Sequence, residues 1–203
     1  MEIYLIRHTT PLVDKGICYG QTDLDITDSF LDEASVIKDY LPAAVNQVFS
    51  SPLQRCKKLA HNLYPDNYVE THNALKELNC GDWEMKHWDA IPQHQIQPWM
   101  SDFVHTPIPG GESYTHLYRR VISCFRLLKE KTQGTSAIIT HGGVIRSILA
   151  YITDTPLSDS FNAFNLHYGC VIKIIPVGND AFRHEVKLNI PPVKPEQHKP
   201  SGL

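Results

Sequence analysis

The chain has 203 residues, 42% hydrophobic and 20% charged, with a formal net charge of −3. That length fits one domain, or one domain carrying a sizeable insertion, and it suffices to bury a substantial core. The charge excludes a global basic field for nucleic acid or an anionic membrane, and no apolar run approaches the roughly 20 residues that span a bilayer.

The chain opens Met1-Glu2-Ile3-Tyr4-Leu5-Ile6. A signal peptide has a basic start and a longer apolar centre, so this stretch predicts a protein that is not secreted. Glu2 to Ile6 reads as the first strand, ending at the polar Arg7-His8-Thr9-Thr10-Pro11, where Pro11 disfavours helix at the preceding residue. A loop with Gly16 and Gly20 follows. Phe30, Leu31, Ala34, Ile37 and Leu41 recur at helical spacing within Thr27 to Leu41. Val48 to Ser50 reads as a second strand, and Pro52 opens a helix running to Leu63. Tyr68 to Thr71 is a short strand. Ser136 to Thr140 is a buried strand, and Gly142-Gly143 leads from it into an apolar helix over Val144 to Ile152. Val171 to Val177 and Phe182 to Leu188 form a terminal pair of strands. This alternation predicts a three-layer α/β/α sandwich with a mostly parallel sheet.

Two stretches break the alternation. Residues 81–115, rich in Trp, Pro, His and Gly, are too long for a plain connection and predict a helical insertion over the active site. Residues 191–203 read as a flexible tail on a single 1–190 domain. Five widely spaced cysteines, Cys18, Cys56, Cys80, Cys124 and Cys170, include no Cys-x-x-Cys pair. They argue against a disulfide framework or a thiolate zinc site, and fit a reducing cytoplasm.

In an open α/β sheet, ligands sit at the carboxyl ends of the strands. There the sequence places Arg7-His8, Ser50-Ser51-Pro52-Leu53-Gln54-Arg55 and Thr140-His141-Gly142-Gly143, with Glu77 shortly after Thr71. Two guanidiniums bind a phosphate dianion through planar, bidentate hydrogen bonds. The Gly142 and Gly143 amides at a helix start add donors. A neutral imidazole attacks phosphorus, and a nearby carboxylic acid protonates the leaving alkoxide. Each feature alone has a plain alternative: a satisfied surface Arg-His pair, a solvated Arg55 or Glu77, or a glycine turn that is simply tightly packed.

Taken in order, Leu5-Ile6-Arg7-His8, Ser50 to Cys56, Leu75-Lys76-Glu77-Leu78 with Gly81-Asp82-Trp83-Glu84, Pro109-Gly110-Gly111-Glu112-Ser113 and Thr140 to Arg146 resemble the histidine phosphatase superfamily, with its phosphoglycerate mutase-like fold. The resemblance implies His8 as the phosphorylated nucleophile and Arg7, Arg55 and His141 as the phosphate pocket. It implies Glu77 as the proton donor and a Gly142 N–H contact. Glu84 competes for the donor role, but the family's acid precedes the glycine numbered Gly81 here. The family usually has Gly and then an acidic residue after the nucleophile; here Thr9, Thr10 and Pro11 follow, and the Thr9 hydroxyl is a candidate phosphate donor. Arg7 to Pro11 with Ile17 to Thr27 looks like the α-ribazole phosphatases of cobalamin biosynthesis. Tyr19, Gly20 and Gln21 are then expected at the substrate. Trp83, Trp88, Trp99, Phe103 and Tyr114 offer either a stacking platform or a core for the insertion.

The expected partner is a small phosphate ester, with no metal, cofactor, nucleic acid or membrane implied and a homodimer allowed. A broad-specificity phosphatase of the same fold is an alternative. A mutase is usually longer, a non-catalytic binding domain typically loses the nucleophile or acid, and a zinc hydrolase lacks its His-Glu-x-x-His spacing here.

Overall fold

The computed structural model describes residues 1–178 and 181–192. Six strands form: β1 (Glu2–Arg7), β2 (Gln47–Ser50), β3 (Val69–Thr71), β4 (Thr135–Thr140), β5 (Val171–Val177) and β6 (Ala181–Leu188). They make one sheet in the order β3-β2-β4-β1-β5-β6. The β3–β2, β2–β4 and β4–β1 pairings are parallel; β5 and β6 add antiparallel pairings at one edge.

The two-residue side-chain period of the strands splits their apolar residues between two faces. Ile3 and Leu5 of β1 point to one face, and Tyr4 and Ile6 to the other. The first face is covered by α4 (Tyr114–Lys131) and α5 (Gly142–Thr153), through Leu117, Val121, Phe125, Ile145 and Ile148. The second is covered by α1 (Phe30–Lys38) and α2 (Gln54–Leu63), through Ala34, Ile37, Cys56, Leu59 and Leu63. Fully burying one such aliphatic side chain stabilises by about 1.5–3 kcal/mol. The molecule is therefore a three-layer α/β/α sandwich with a mostly parallel sheet.

The expected elements differ from the structure in three places. α4 has no counterpart among them, although Leu117, Val121, Phe125 and Leu128 recur at helical spacing and Ser113 caps it with His116 in a capping box. The glycines do not precede α5; Gly142 and Gly143 are its first two residues. α2 starts at Gln54 with Leu53 as its N-cap, so Pro52 precedes the helix instead of opening it. The 81–115 stretch carries α3 (Gln93–Ser101) and two one-turn helices, and its tryptophans pack on one another as a core for the insertion. Trp83 is fully buried, with ring centroids 6.2 Å from Trp88 and 5.6 Å from Trp99. From residue 193 onward, the expected tail lies outside the described residues.

Candidate active site

Strand register brings the polar residues together. Arg7 pairs with Thr140 and Ser50 with Ile139, so three strands end level with one another. The His8 N–H donates to Thr140 O at 3.0 Å and the Ser51 N–H to Ile139 O at 2.9 Å, which continues both ladders one residue further. His8 and His141 thus emerge side by side, with ring centroids 5.1 Å apart.

The tautomer of His8 follows from its contacts. Its Nδ1 lies 2.7 Å from the Thr9 carbonyl oxygen. A carbonyl only accepts, so Nδ1 carries the proton and Nε2 carries the lone pair. That lone pair faces the Arg55 Nε–H at 3.3 Å. The ring is buried, so its lone-pair nitrogen is held in one direction.

Arg55 is the centre of the arrangement. It is the second residue of α2 and has no solvent exposure. Its Nη1 donates to Thr22 O at 2.9 Å and its Nη2 to Gly20 O at 2.7 Å and to His141 Nδ1 at 3.3 Å. Among the described residues it contacts carbonyls and imidazoles, and no carboxylate. A buried cation without an anion is costly, by several kcal/mol after relaxation. The site is therefore electrostatically prepared for an anionic ligand.

His141 accepts from Arg55 at Nδ1, so its Nε2–H donates to Ser51 Oγ at 2.8 Å. Burial, then the charges of Arg55, His8 and Arg7, push its pKa well below the usual 6.5. The ring is neutral until an anion arrives; a phosphate dianion in contact favours its protonation. Cys56 Sγ lies 3.5 Å from His141 Nε2. Burial pushes that thiol up to about 12, so no cysteine–histidine nucleophile forms at neutral pH.

Arg7 donates from Nη1 to Leu166 O at 2.6 Å, and its guanidinium lies 4.0 Å from the centroid of the Tyr168 ring. Tyr168 also packs against His8 and hydrogen-bonds through its hydroxyl to that of Tyr19 at 2.5 Å. Thr9 is fully buried, and its Oγ1 has no hydrogen-bond partner among the described residues. Gly142 stands in the first turn of α5, where backbone N–H groups have no intrahelical acceptor.

Glu77 reaches the same helix start. Its Oε2 accepts from the Gly143 N–H at 3.0 Å and its Oε1 from the Leu78 N–H at 2.8 Å. A Cβ on Gly143 would lie 2.3 Å from that Oε1, so only glycine admits the carboxylate there. Arg120 of α4 fixes the segment behind it, donating to the carbonyls of Ala74, Lys76 and Glu77 and pairing with Glu112.

Glu84 lies elsewhere. It accepts from the backbone N–H groups of Gly20, Gln21, Thr22 and Cys80 and from the Thr22 hydroxyl. Gly20 and Gln21, expected at the substrate, thus turn their N–H groups away to Glu84, while the Gly20 carbonyl serves Arg55. Tyr168 and Ser51 join the site without being expected in it. Ser51 lies within the Ser50-Ser51-Pro52-Leu53-Gln54-Arg55 segment; Tyr168 carries no local signal, because only tertiary structure places it over Arg7.

Among the described residues, no group of three or more His, Cys, Asp or Glu side chains is arranged to hold a metal ion.

Comparison with known proteins matches this geometry to a family. The profile of the histidine phosphatase superfamily (branch 1) matches residues 3–187. A metal-independent phosphoserine phosphatase of Arabidopsis thaliana is 30% identical over 167 residues, covering 75% of this chain and 68% of the relative. The adenosylcobalamin/alpha-ribazole phosphatase of Salmonella typhimurium is 24% identical over 178 residues, covering 84% and 88%. The crystal structure of the alpha-ribazole phosphatase from Shigella flexneri superposes with a TM-score of 0.83 at 25% identity, over 94% of this chain and 96% of that one. This chain belongs to the histidine phosphatase superfamily, branch 1, and is a phosphatase.

Proposed function

We propose that the protein hydrolyses a phosphate monoester, without a metal ion, through a phosphohistidine on His8. The observation that carries this reading is the buried Arg55 guanidinium, which has no carboxylate partner and is aimed at the lone-pair nitrogen of His8. Arg7, Arg55 and His141 hold the phosphate, and the unpartnered Thr9 hydroxyl and the Gly142 N–H donate to its oxygens. His8 Nε2 attacks phosphorus, the ester P–O bond breaks, and Glu77 gives its proton to the leaving oxygen. Water then attacks phosphorus and gives a proton to the Glu77 carboxylate, and the P–N bond breaks, freeing neutral His8 and inorganic phosphate. The 81–115 insertion borders the pocket, and Tyr19 contacts the substrate beside Arg55 (5.7 Å from its ring centroid).

For the substrate, the proposal is α-ribazole 5′-phosphate. It rests on likeness to the alpha-ribazole phosphatases of Salmonella and Shigella. A second feature favours it over a small amino-acid ester. Phe161 is exposed, with the Arg146 guanidinium 4.0 Å from its ring centroid and Phe103 and Tyr114 packed around it. Arg146 lies one helical turn beyond Gly143 on α5, so this aromatic surface borders the Glu77 side of the pocket and can stack a flat base.

The test compares kcat/KM for α-ribazole 5′-phosphate, phosphoserine, 3-phosphoglycerate and fructose 2,6-bisphosphate, with chelator present throughout. The proposal expects turnover in chelator and a preference for α-ribazole 5′-phosphate of roughly tenfold or more, the discrimination one good pocket contact supplies. A preference for phosphoserine overturns the substrate. Loss of all turnover in chelator, restored by a divalent metal, overturns the mechanism.

A further inference from the structure

Glu84 accepts five hydrogen bonds from the segments beside the phosphate pocket. Its Oε2 accepts from the Gly20 N–H at 3.0 Å, the Thr22 N–H at 3.2 Å and the Thr22 hydroxyl at 2.6 Å. Its Oε1 accepts from the Gln21 N–H at 2.7 Å and the Cys80 N–H at 3.2 Å. A carboxylate is the only side chain that is acceptor-only at both ends, so five donors require it. The three N–H groups of residues 20–22 converge on Glu84, while two carbonyls of the same loop face Arg55.

Those carbonyls belong to Gly20 and Thr22, which hold the two terminal nitrogens of Arg55. The loop therefore joins Glu84 on one side to Arg55 on the other. It has little room to relax, because a Cβ on Gly20 would lie 1.8 Å from the Leu78 carbonyl oxygen. The Gln21 side chain ties the same loop to the Glu77 carbonyl at 3.0 Å. With both terminal nitrogens fixed, the Nε–H of Arg55 has one direction left, toward His8 Nε2.

We infer that Glu84 is a positioning residue: it orients Arg55 for phosphate through the Gly20–Thr22 loop and takes no part in proton transfer. The inference rests on the assignment of Arg55 to the phosphate pocket. It adds a residue the chemistry depends on without touching substrate.

Glu84→Gln is isosteric yet places an NH2 against at least two N–H donors, so the loop must move. Inorganic phosphate binding, read by calorimetry, needs no turnover. The expected result is roughly tenfold or greater weakening of phosphate affinity, with a fall in kcat/KM of about 10²-fold, the scale of a 1 Å misplacement. That fall should be the same for alkyl esters and for aryl esters with good leaving groups, and Glu84→Asp should recover part of it. Thr22→Val removes one donor, keeps the side-chain shape, and should give a smaller loss of the same kind, which covers a Glu84→Gln protein that does not fold. Unchanged phosphate affinity in a folded Glu84→Gln protein overturns the inference and leaves a structural role only. A loss confined to alkyl esters also overturns it and makes Glu84 the proton donor. Wild-type protein that does not bind phosphate refutes the pocket assignment itself.

Discussion

Gly143→Ala tests the proposed role of Glu77 as proton donor separately from the rest of the site. The added methyl would lie 2.3 Å from Glu77 Oε1, whereas ordinary contacts begin at 3.4 Å. The carboxylate must therefore retreat by about 1 Å, a displacement that costs roughly 10²-fold at a catalytic group, or about 2.7 kcal/mol of barrier. The fold should tolerate the change. The closest clash is with the end of a flexible side chain, Leu117 Cδ2 stands at 3.1 Å, and alanine is the better helix former by up to about 1 kcal/mol. The assay is kcat/KM for an alkyl phosphate against p-nitrophenyl phosphate, with thermal denaturation alongside. The alkyl ester should lose about 10²-fold and the aryl ester less than about fivefold, since a good leaving group needs little protonation. Equal losses for both esters, or undiminished alkyl turnover in a stable protein, would refute the placement of Glu77 as donor.

Arg55→Lys keeps the charge and loses the fork; one ammonium cannot serve Gly20, Thr22, His141 and His8 together. A fall in kcat/KM of roughly 10²–10³-fold is expected, and retention within threefold counts against Arg55 as the centre of the pocket. His141 predicts the acid limit of stability. Burial and then Arg55 depress its pKa, so the native ring is neutral while the unfolded ring titrates near 6.5. Its contribution is full above that value and is lost as pH falls below it, at up to about 1.4 kcal/mol per pH unit until the native pKa is reached. Urea denaturation between pH 7 and pH 5 should show a shallower slope in His141→Asn than in the wild type; identical slopes contradict the assignment.

Much of this architecture was legible in the sequence, for physical reasons. Short apolar runs ending at Arg7, Ser50 and Thr140 were strands because both their faces are covered, and their ends fall level because the register is parallel. The chemistry-bearing residues stood at those ends. What was not legible depends on tertiary contact. The periodic residues of α4 follow directly on the Pro- and Gly-rich residues 107–111, whose composition reads as part of an insertion. Composition leaves open whether Trp83, Trp88 and Trp99 make a stacking platform or a core; tertiary contact decides it, since they face one another with Cys18, Cys80 and Ile108 in one small core. Gly20 and Gln21 looked like substrate contacts from their motif; the direction of their N–H groups is set by Glu84, more than 60 residues away. Tyr168 meets Arg7 and His8 only because the segment before β5 folds back beside β1.

The central claim is the covalent intermediate on His8. Rapid quenching of the enzyme with a 32P-labelled phosphate ester, followed by peptide mapping, tests it most directly. The expected label is acid-labile, stable to alkali, confined to the peptide bearing His8, and absent from His8→Ala protein that retains its thermal stability. Label on another residue, or undiminished turnover in His8→Ala, would contradict the account.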